Sequence, residues 1–263
     1  MGEALAARLS GCHARMNLSP APELSIVIPS YNEEARLPRS LEKIRAYVAE
    51  HHPDAEVIVV DDGSKDGTAR VVEQWQREWP AVRLVPNGEN RGKGYSVRHG
   101  MLEARGRVAL FTDADLSAPI EEADKLLDAL RDADVAFGSR AMNRELIAVH
   151  QSRLREVAGI IFNRCVRLFT GLSFEDTQCG FKAFQLDRSR IIFEQQRVER
   201  FGFDPEILFL AKRHGLRAVE VPVRWAHDPA TKVHVIRDSL RMFSDLVLIR
   251  WNAIAGRYPK RHP

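Results

Sequence analysis

Cysteine is scarce in this sequence, and long apolar runs are missing. The 263 residues hold three cysteines, Cys12, Cys165 and Cys179, which are far apart and lack the short spacings that bind zinc. A disulfide framework or thiolate metal site is therefore excluded as the organising device, and a reducing cytoplasm is the default compartment. No stretch reaches the roughly 18 uncharged apolar residues that a membrane span needs. Met1 to Glu23 has no apolar signal-peptide core and ends in turn-forming Pro20 and Pro22, so residues 1–23 read as a flexible leading segment. A net charge of +3 gives no reason to expect nucleic acid. Two phosphate-binding fingerprints are absent as well. Only three residues separate Gly88 from Gly92-Lys93, and Gly94 occupies the place where a Walker A loop needs Ser or Thr. No glycine-rich dinucleotide turn follows the first apolar run; Pro29-Ser30-Tyr31-Asn32-Glu33 is there instead.

What is present reads as one sizeable α/β domain. Apolar residues make up 44% and charged residues 29%, which suits a folded globular chain. Leu24 to Ile28, Glu56 to Val60, Val82 to Val85, Arg107 to Thr112 and Asp134 to Gly138 are short runs bounded by turn residues, the pattern of buried strands. Helical spacing fills the gaps: Glu33 to Glu50, Asp66 to Trp79, Tyr95 to Ala104 and Ile120 to Arg131. Such alternation predicts a mostly parallel, Rossmann-like sheet with helices on both faces. Beyond Arg140 the pattern loosens into helices near Arg153–Phe169 and Asp204–Lys212, a strand near Ala218–Val223, and a final helix. The expected division is a main domain over 24–234 and an amphipathic helix with a basic tail over 235–263.

In parallel sheets ligands bind beyond the carboxyl ends of the strands. Asp61-Asp62 follows the second strand, and Asp113-Ala114-Asp115 follows the fourth. Two carboxylates around one small residue can hold a hard divalent cation, with phosphate and water completing its shell. They would equally suit a solvated turn that caps the next helix. Asn90-Arg91-Gly92-Lys93-Gly94 offers backbone N–H groups and one ammonium to an anion. His150, His227 and His234 have no partner legible in the sequence, and ordinary polar packing is expected of them.

These segments, in this order and at strand ends, resemble the nucleotide-binding half of family 2 glycosyltransferases. Gly138-Ser139-Arg140, Asp176 to Lys182 and Phe203 to Leu208 resemble the branch that glycosylates polyprenyl phosphates, the dolichyl-phosphate β-glucosyltransferases above all. The likeness runs from about Leu24 to about Trp251. It implies a GT-A fold and an inverting transfer, most simply of glucose from UDP-glucose to a polyprenyl monophosphate, with GDP-mannose as the competing donor. A hydroxyl acceptor, or binding of a nucleotide sugar without turnover, are the rival readings. It also implies Mg²⁺ or Mn²⁺, held by Asp113 and Asp115. Pro29, Tyr31, Glu33, Asp61 and Lys93 would line the nucleotide pocket, and Arg140 and Arg155 would meet the acceptor phosphate. Lys182 would touch a phosphate or stand exposed on a strand, and Glu206 would be a further ligand-side carboxylate. The amino-terminal anchor of the eukaryotic relatives has no counterpart in 1–23, so attachment would be peripheral, at the cytoplasmic membrane face. A homo-oligomer stays open.

Asp176 falls where many inverting relatives keep an acid/base carboxylate. A phosphate monoester is largely dianionic at neutral pH, so its oxygen already is a nucleophile and needs no base. Asp176 would then orient cationic groups. In the final helix, Leu240, Phe243, Val247, Trp251 and Ile254 share one stripe, while Asp238, Arg241, Asp245 and Asn252 lie opposite. With Arg257, Lys260 and Arg261 beyond it, the stripe suits an anionic membrane surface. Packing against the domain would produce the same spacing.

Overall fold

The computed structural model describes residues 21–149, 153–226 and 235–260, without the side chains of Arg144, 147–149, 153–158 and 235–240. Expectations for Cys12, for residues 1–20, for His150, His227 and His234, and for Arg261 fall outside this range.

Nine strands and eight α-helices are described: β1 (Leu24–Ser30), α1 (Leu37–His51), β2 (Glu56–Asp61), α2 (Thr68–Glu78), β3 (Val82–Pro86), α3 (Lys93–Glu103), β4 (Val108–Thr112), α4 (Ala123–Ala129), β5 (Val135–Ser139), β6 (Ile147–Val149), α5 (Arg153–Thr170), β7 (Phe181–Gln185), α6 (Leu186–Gln195), α7 (Phe203–Arg213), β8 (Ala218–Pro222), β9 (Trp225–Ala226) and α8 (Val235–Ile254). Seven strands form one sheet in the order β3-β2-β1-β4-β7-β5-β8. All neighbours are parallel except β7, which runs antiparallel to both β4 and β5. Strands β6 and β9 make a separate small pair.

Alternation along the strands divides the core into two layers. Ile26 and Ile28 of β1 join Leu41 and Ile44 of α1 and Val72 of α2 on one face. Val27 between them joins Val97 and Met101 of α3, Phe193 of α6 and Phe203 of α7 on the other. Both faces are covered, which is why these strands read as unbroken apolar runs.

The expected strands and helices are present, with shifts that have local causes. Helix α1 starts at Leu37, four residues late, because residues 33–36 form a turn in which the Glu33 carbonyl accepts the N–H groups of Arg36 and Leu37. Pro38 then sits in the first helical turn, where its missing N–H costs nothing. The segment from Ile120 opens as a 3₁₀ turn before α4. Strands β6, β7 and β9 and helix α6 have no counterpart in the sequence pattern.

Candidate active site

Four turns meet at one end of the sheet. Asp61 closes β2, Asp113 directly follows β4, and Arg140 directly follows β5. Because β7 is reversed, its start also lies at this end, and Gly180 backs onto Asp113. A Cβ added to Gly180 would stand 2.3 Å from an Asp113 carboxylate oxygen, so a side chain here would displace that carboxylate.

Asp113 and Asp115 project from the turn after β4. Leu116 follows in the left-handed region, with φ 50°, and Ser117 N–H donates to Asp115 Oδ1 at 2.9 Å. Burial, and then the like charge of Asp113, raise the Asp115 carboxyl above its ordinary value. Lys93 Nζ lies 2.5 Å from Asp113 Oδ1. Burial pulls the Lys93 ammonium down, but Asp113 and then Asp204 outweigh it and hold it charged. The site is thus an anionic pair with one ammonium already drawn in.

This arrangement fits a hard divalent cation. The Asp115 carboxyl, raised by burial and then by the like charge of Asp113, would be relieved by a cation between the two, and Gly180 brings the turn before β7 against the Asp113 carboxylate. No cluster of three or more acidic, His or Cys ligands exists among the described residues. A cation held by Asp113 and Asp115 would complete its shell with phosphate oxygens and water.

The Asn90–Gly94 loop corrects one expectation. Its backbone does not face outward to an anion. Arg91 and Gly92 N–H donate to the carboxylate of Asp62 at 2.9 and 2.8 Å, and Asn87 Nδ2 donates to it at 2.8 Å. Its glycines serve packing, since a Cβ on Gly92 or Gly94 would meet the carbonyls of Glu199 or Val198 at 2.6 Å. Asp62 is therefore the residue that builds this loop and aims Lys93. Its neighbour Asp61 carries the same side chain, so residue type alone does not separate the two.

Asp61 is buried and accepts Ser64 N–H at 3.2 Å. Pro29 and Tyr31 are half-buried at the end of β1. The Glu33 carboxylate pairs with Arg36 at 2.7 and 2.9 Å. Asn32 is left-handed, with φ 53°, and its side chain accepts Lys65 N–H at 2.8 Å, joining the turns after β1 and β2.

On the β5 side, Asp176 grips Arg140. Its carboxylate accepts Arg140 Nε at 2.6 Å, Nη2 at 2.8 Å and backbone N–H at 3.1 Å. Burial pushes the Asp176 carboxyl up, but the attraction of Arg140 and the hydrogen bonds hold it below its ordinary range. Arg140 is in turn held firmly charged by Asp176, and its guanidinium lies 5.3 Å over the ring of Trp225. Glu220 fixes the loop from below by accepting Glu175 and Asp176 N–H at 2.8 and 2.7 Å. Trp225 and Glu220, far along the chain, were not legible as site residues. Arg155 lies in the first turn of α5, where side chains are outside the description.

Two expectations need correction. Lys182 is neither exposed nor turned to solvent. It is fully buried, donating to Asp204 Oδ1 at 2.5 Å and to the Cys179 carbonyl. Glu206 is not on the ligand side either. It is buried and accepts Tyr258 O–H at 2.6 Å and the backbone N–H of Arg197 and Val198. Burial raises its carboxyl above the ordinary value. The Cys179 thiol, buried beneath the site, is pushed up to about 12 and is inert as a nucleophile.

A doubly wound sheet with an acidic pair beyond its fourth strand, a buried Asp61 closing its second and an Asp176-clamped Arg140 after its fifth defines a class. The sequence model of glycosyl transferase family 2 matches residues 25–178, and the chain belongs to that family. It is 40% identical over 255 residues to a dolichyl-phosphate beta-glucosyltransferase from Drosophila melanogaster, covering 91% of this chain and 78% of that protein. Relatives of the same description from Saccharomyces cerevisiae (35% identical, 89% of this chain, 76% of theirs) and Homo sapiens (34%, 91% and 78%) match similarly. Among solved structures, mannosyl-3-phosphoglycerate synthase from Rubrobacter xylanophilus superposes with a TM-score of 0.64 at 21% identity, over 92% of this chain and 78% of that one. The glucosyl-3-phosphoglycerate synthase of Mycobacterium tuberculosis, solved with Mn²⁺ and UDP, gives 0.62 at 17%, over 92% and 81%. At these identities the structures establish the GT-A fold.

Proposed function

We propose that the chain transfers glucose from UDP-glucose to a polyprenyl monophosphate, with inversion, as a peripheral enzyme at the cytoplasmic face of a membrane. The observation that carries this reading is identity of 34–40% to dolichyl-phosphate beta-glucosyltransferases along about nine-tenths of the chain. The geometry supports it. Pro29, Tyr31 and Asp61 would receive the nucleotide, and Asp113 would face the ribose. Mg²⁺ or Mn²⁺ on Asp113 and Asp115 would neutralise the departing diphosphate.

Arg140 would receive the acceptor phosphate, helped by Arg155. One phosphate oxygen then forms a bond to the anomeric carbon from the face opposite the leaving group. The bond from that carbon to the diphosphate oxygen breaks, and UDP leaves with the electron pair. No proton has to be removed from a dianionic phosphate. Asp176, spent on three Arg140 N–H groups, supports an orienting rather than a basic role. Lys93 would exchange Asp113 for the diphosphate, and catalysis would rest on positioning and charge stabilisation.

The test is incubation with UDP-glucose, GDP-mannose and other nucleotide sugars against polyprenyl phosphates, reading lipid-linked product by mass spectrometry. Glucosyl phosphoryl polyprenol formed from UDP-glucose is expected. Efficient transfer to a neutral alcohol, with none to the lipid phosphate, overturns the reading.

A further inference from the structure

We propose that the outer face of α5 and α8 is a membrane-docking surface, and that a cationic cleft at its end holds the phosphate headgroup of an anionic lipid. For its purpose this rests on the lipid-acceptor reading, yet the surface can be probed without any acceptor.

Ten large apolar side chains are strongly exposed among the described residues, and three of them stand on α5 and five on α8. Leu168 is 81% exposed, Ile254 70% and Trp251 59%. The two helices are joined by the edge-on contact of Phe169 with Phe243, at 5.5 Å between ring centres. Helix α8 does not lie loose. Its inner side buries Leu246, Ile249 and Asn252, so the exposed residues form a second, unpartnered side of a seated helix. Exposed apolar side chains concentrated on two packed helices mark an interaction surface.

The carboxyl ends of α5 and α8 both reach one open cleft of about 460 Å³. Its lining includes Lys212, Arg213, Arg250 and Lys260, next to apolar Phe209 and Ile254, and contains no acidic residue. Lys212 Nζ donates to the Gly171 carbonyl and Arg213 Nε to the Tyr258 carbonyl, at 2.5 and 2.8 Å, which satisfies chain ends. Arg250 and Lys260 are exposed and make no hydrogen bond or ion pair among the described residues. Two free cations beside an apolar strip complement a surface that is apolar within and anionic at its headgroups. A two-fold contact between copies through the strip would leave both cationic clefts unmatched.

The strip also lies close to the acceptor side of the active site. Asn163 of α5 donates to the carbonyls of Phe174 and Glu175 at 3.1 and 2.8 Å, and the next residue, Asp176, holds Arg140. A lipid lying along α5 therefore approaches the phosphate site from the bilayer.

The experiment is flotation of the full-length protein with vesicles of phosphatidylcholine alone, or mixed with phosphatidylserine, both free of polyprenyl phosphate. Binding to the mixed vesicles is expected, about tenfold or more tighter than to phosphatidylcholine alone. Arg250→Glu with Lys260→Glu should abolish that preference, and Trp251→Ser with Ile254→Ser should weaken binding to both. Unchanged thermal unfolding of each variant shows that it is folded. Equal binding to both vesicles overturns the headgroup cleft. Self-association without vesicle binding, or thermal protection by inorganic phosphate without it, overturns the docking surface. Glucosyl transfer to a short polyprenyl phosphate dispersed in detergent reads the acceptor assignment separately, and survives if only the docking surface is wrong.

Discussion

Arg140 and Asp176 show how a carboxylate can matter without acting as a base. The Asp176 carboxyl sits below its unfolded value, so its contribution to stability is present above that value and is lost as pH falls through the folded one. Asp176→Asn should therefore cost about 1–3 kcal/mol at neutral pH, less than a fully buried pair because Arg140 keeps some solvent contact. Denaturation across pH should show this difference flat down to about pH 5 and shrinking below about pH 4. The variant should keep a measurable rate with a raised acceptor KM, since no proton needs removal. A folded variant with no rate at all would give Asp176 the base role. Asp115 carries a different expectation. Its neutral isostere, Asp115→Asn, loses an anionic ligand and should lower turnover by about a hundredfold or more. Full activity of the wild-type protein after verified metal removal would exclude this assignment.

At the scale of elements, α8 settles why one spacing permitted two readings. Phe243, Val247, Trp251 and Ile254 are exposed as a stripe, and Leu246 and Ile249 are buried on the other side. Asn252, on the polar side of the sequence pattern, is buried and donates from Nδ2 to the Tyr258 hydroxyl oxygen at 3.2 Å. Leu246→Ala or Ile249→Ala should lower stability by about 2–4 kcal/mol. Trp251→Ser should stay within about 0.5 kcal/mol. Urea midpoints at unchanged slope would check both. Cutting the chain at Val235 would remove the buried side together with the exposed one, so point variants are the cleaner probe. The periodicity of α1 to α3 was legible because each helix buries one face, and the apolar strands of the first half were legible because each buries both. Strand β7 was not, because its five residues carry a lysine whose partner, Asp204, is on another element. The Asn90–Gly94 turn was legible as a site but not in its wiring, because Asp62 reaches it through space.

Across the whole molecule, the seven-stranded sheet is completed by one strand of opposite direction, laid between β4 and β5. Phe181 and Ala183 of β7 face one core layer and Phe184 faces the other. Both layers are apolar, so hydrophobicity alone would tolerate this strand displaced by one residue along its neighbours. The displaced strand would carry the Lys182 ammonium into the layer that contains Phe181's neighbours, away from Asp204 on α7. The buried ion pair thus acts as an alignment pin that penalises wrong pairings more than it strengthens the right one. Lys182→Met alone should cost about 3–5 kcal/mol by stranding Asp204. Lys182→Met with Asp204→Leu should recover that stability, yet refold to more than one species, seen as doubled amide signals from β4 and β5. A single set of signals would mean that the pairing of the sheet is fixed elsewhere. If doubling is found, the charge at the centre of the sheet is there to make one fold out of several nearly equal ones.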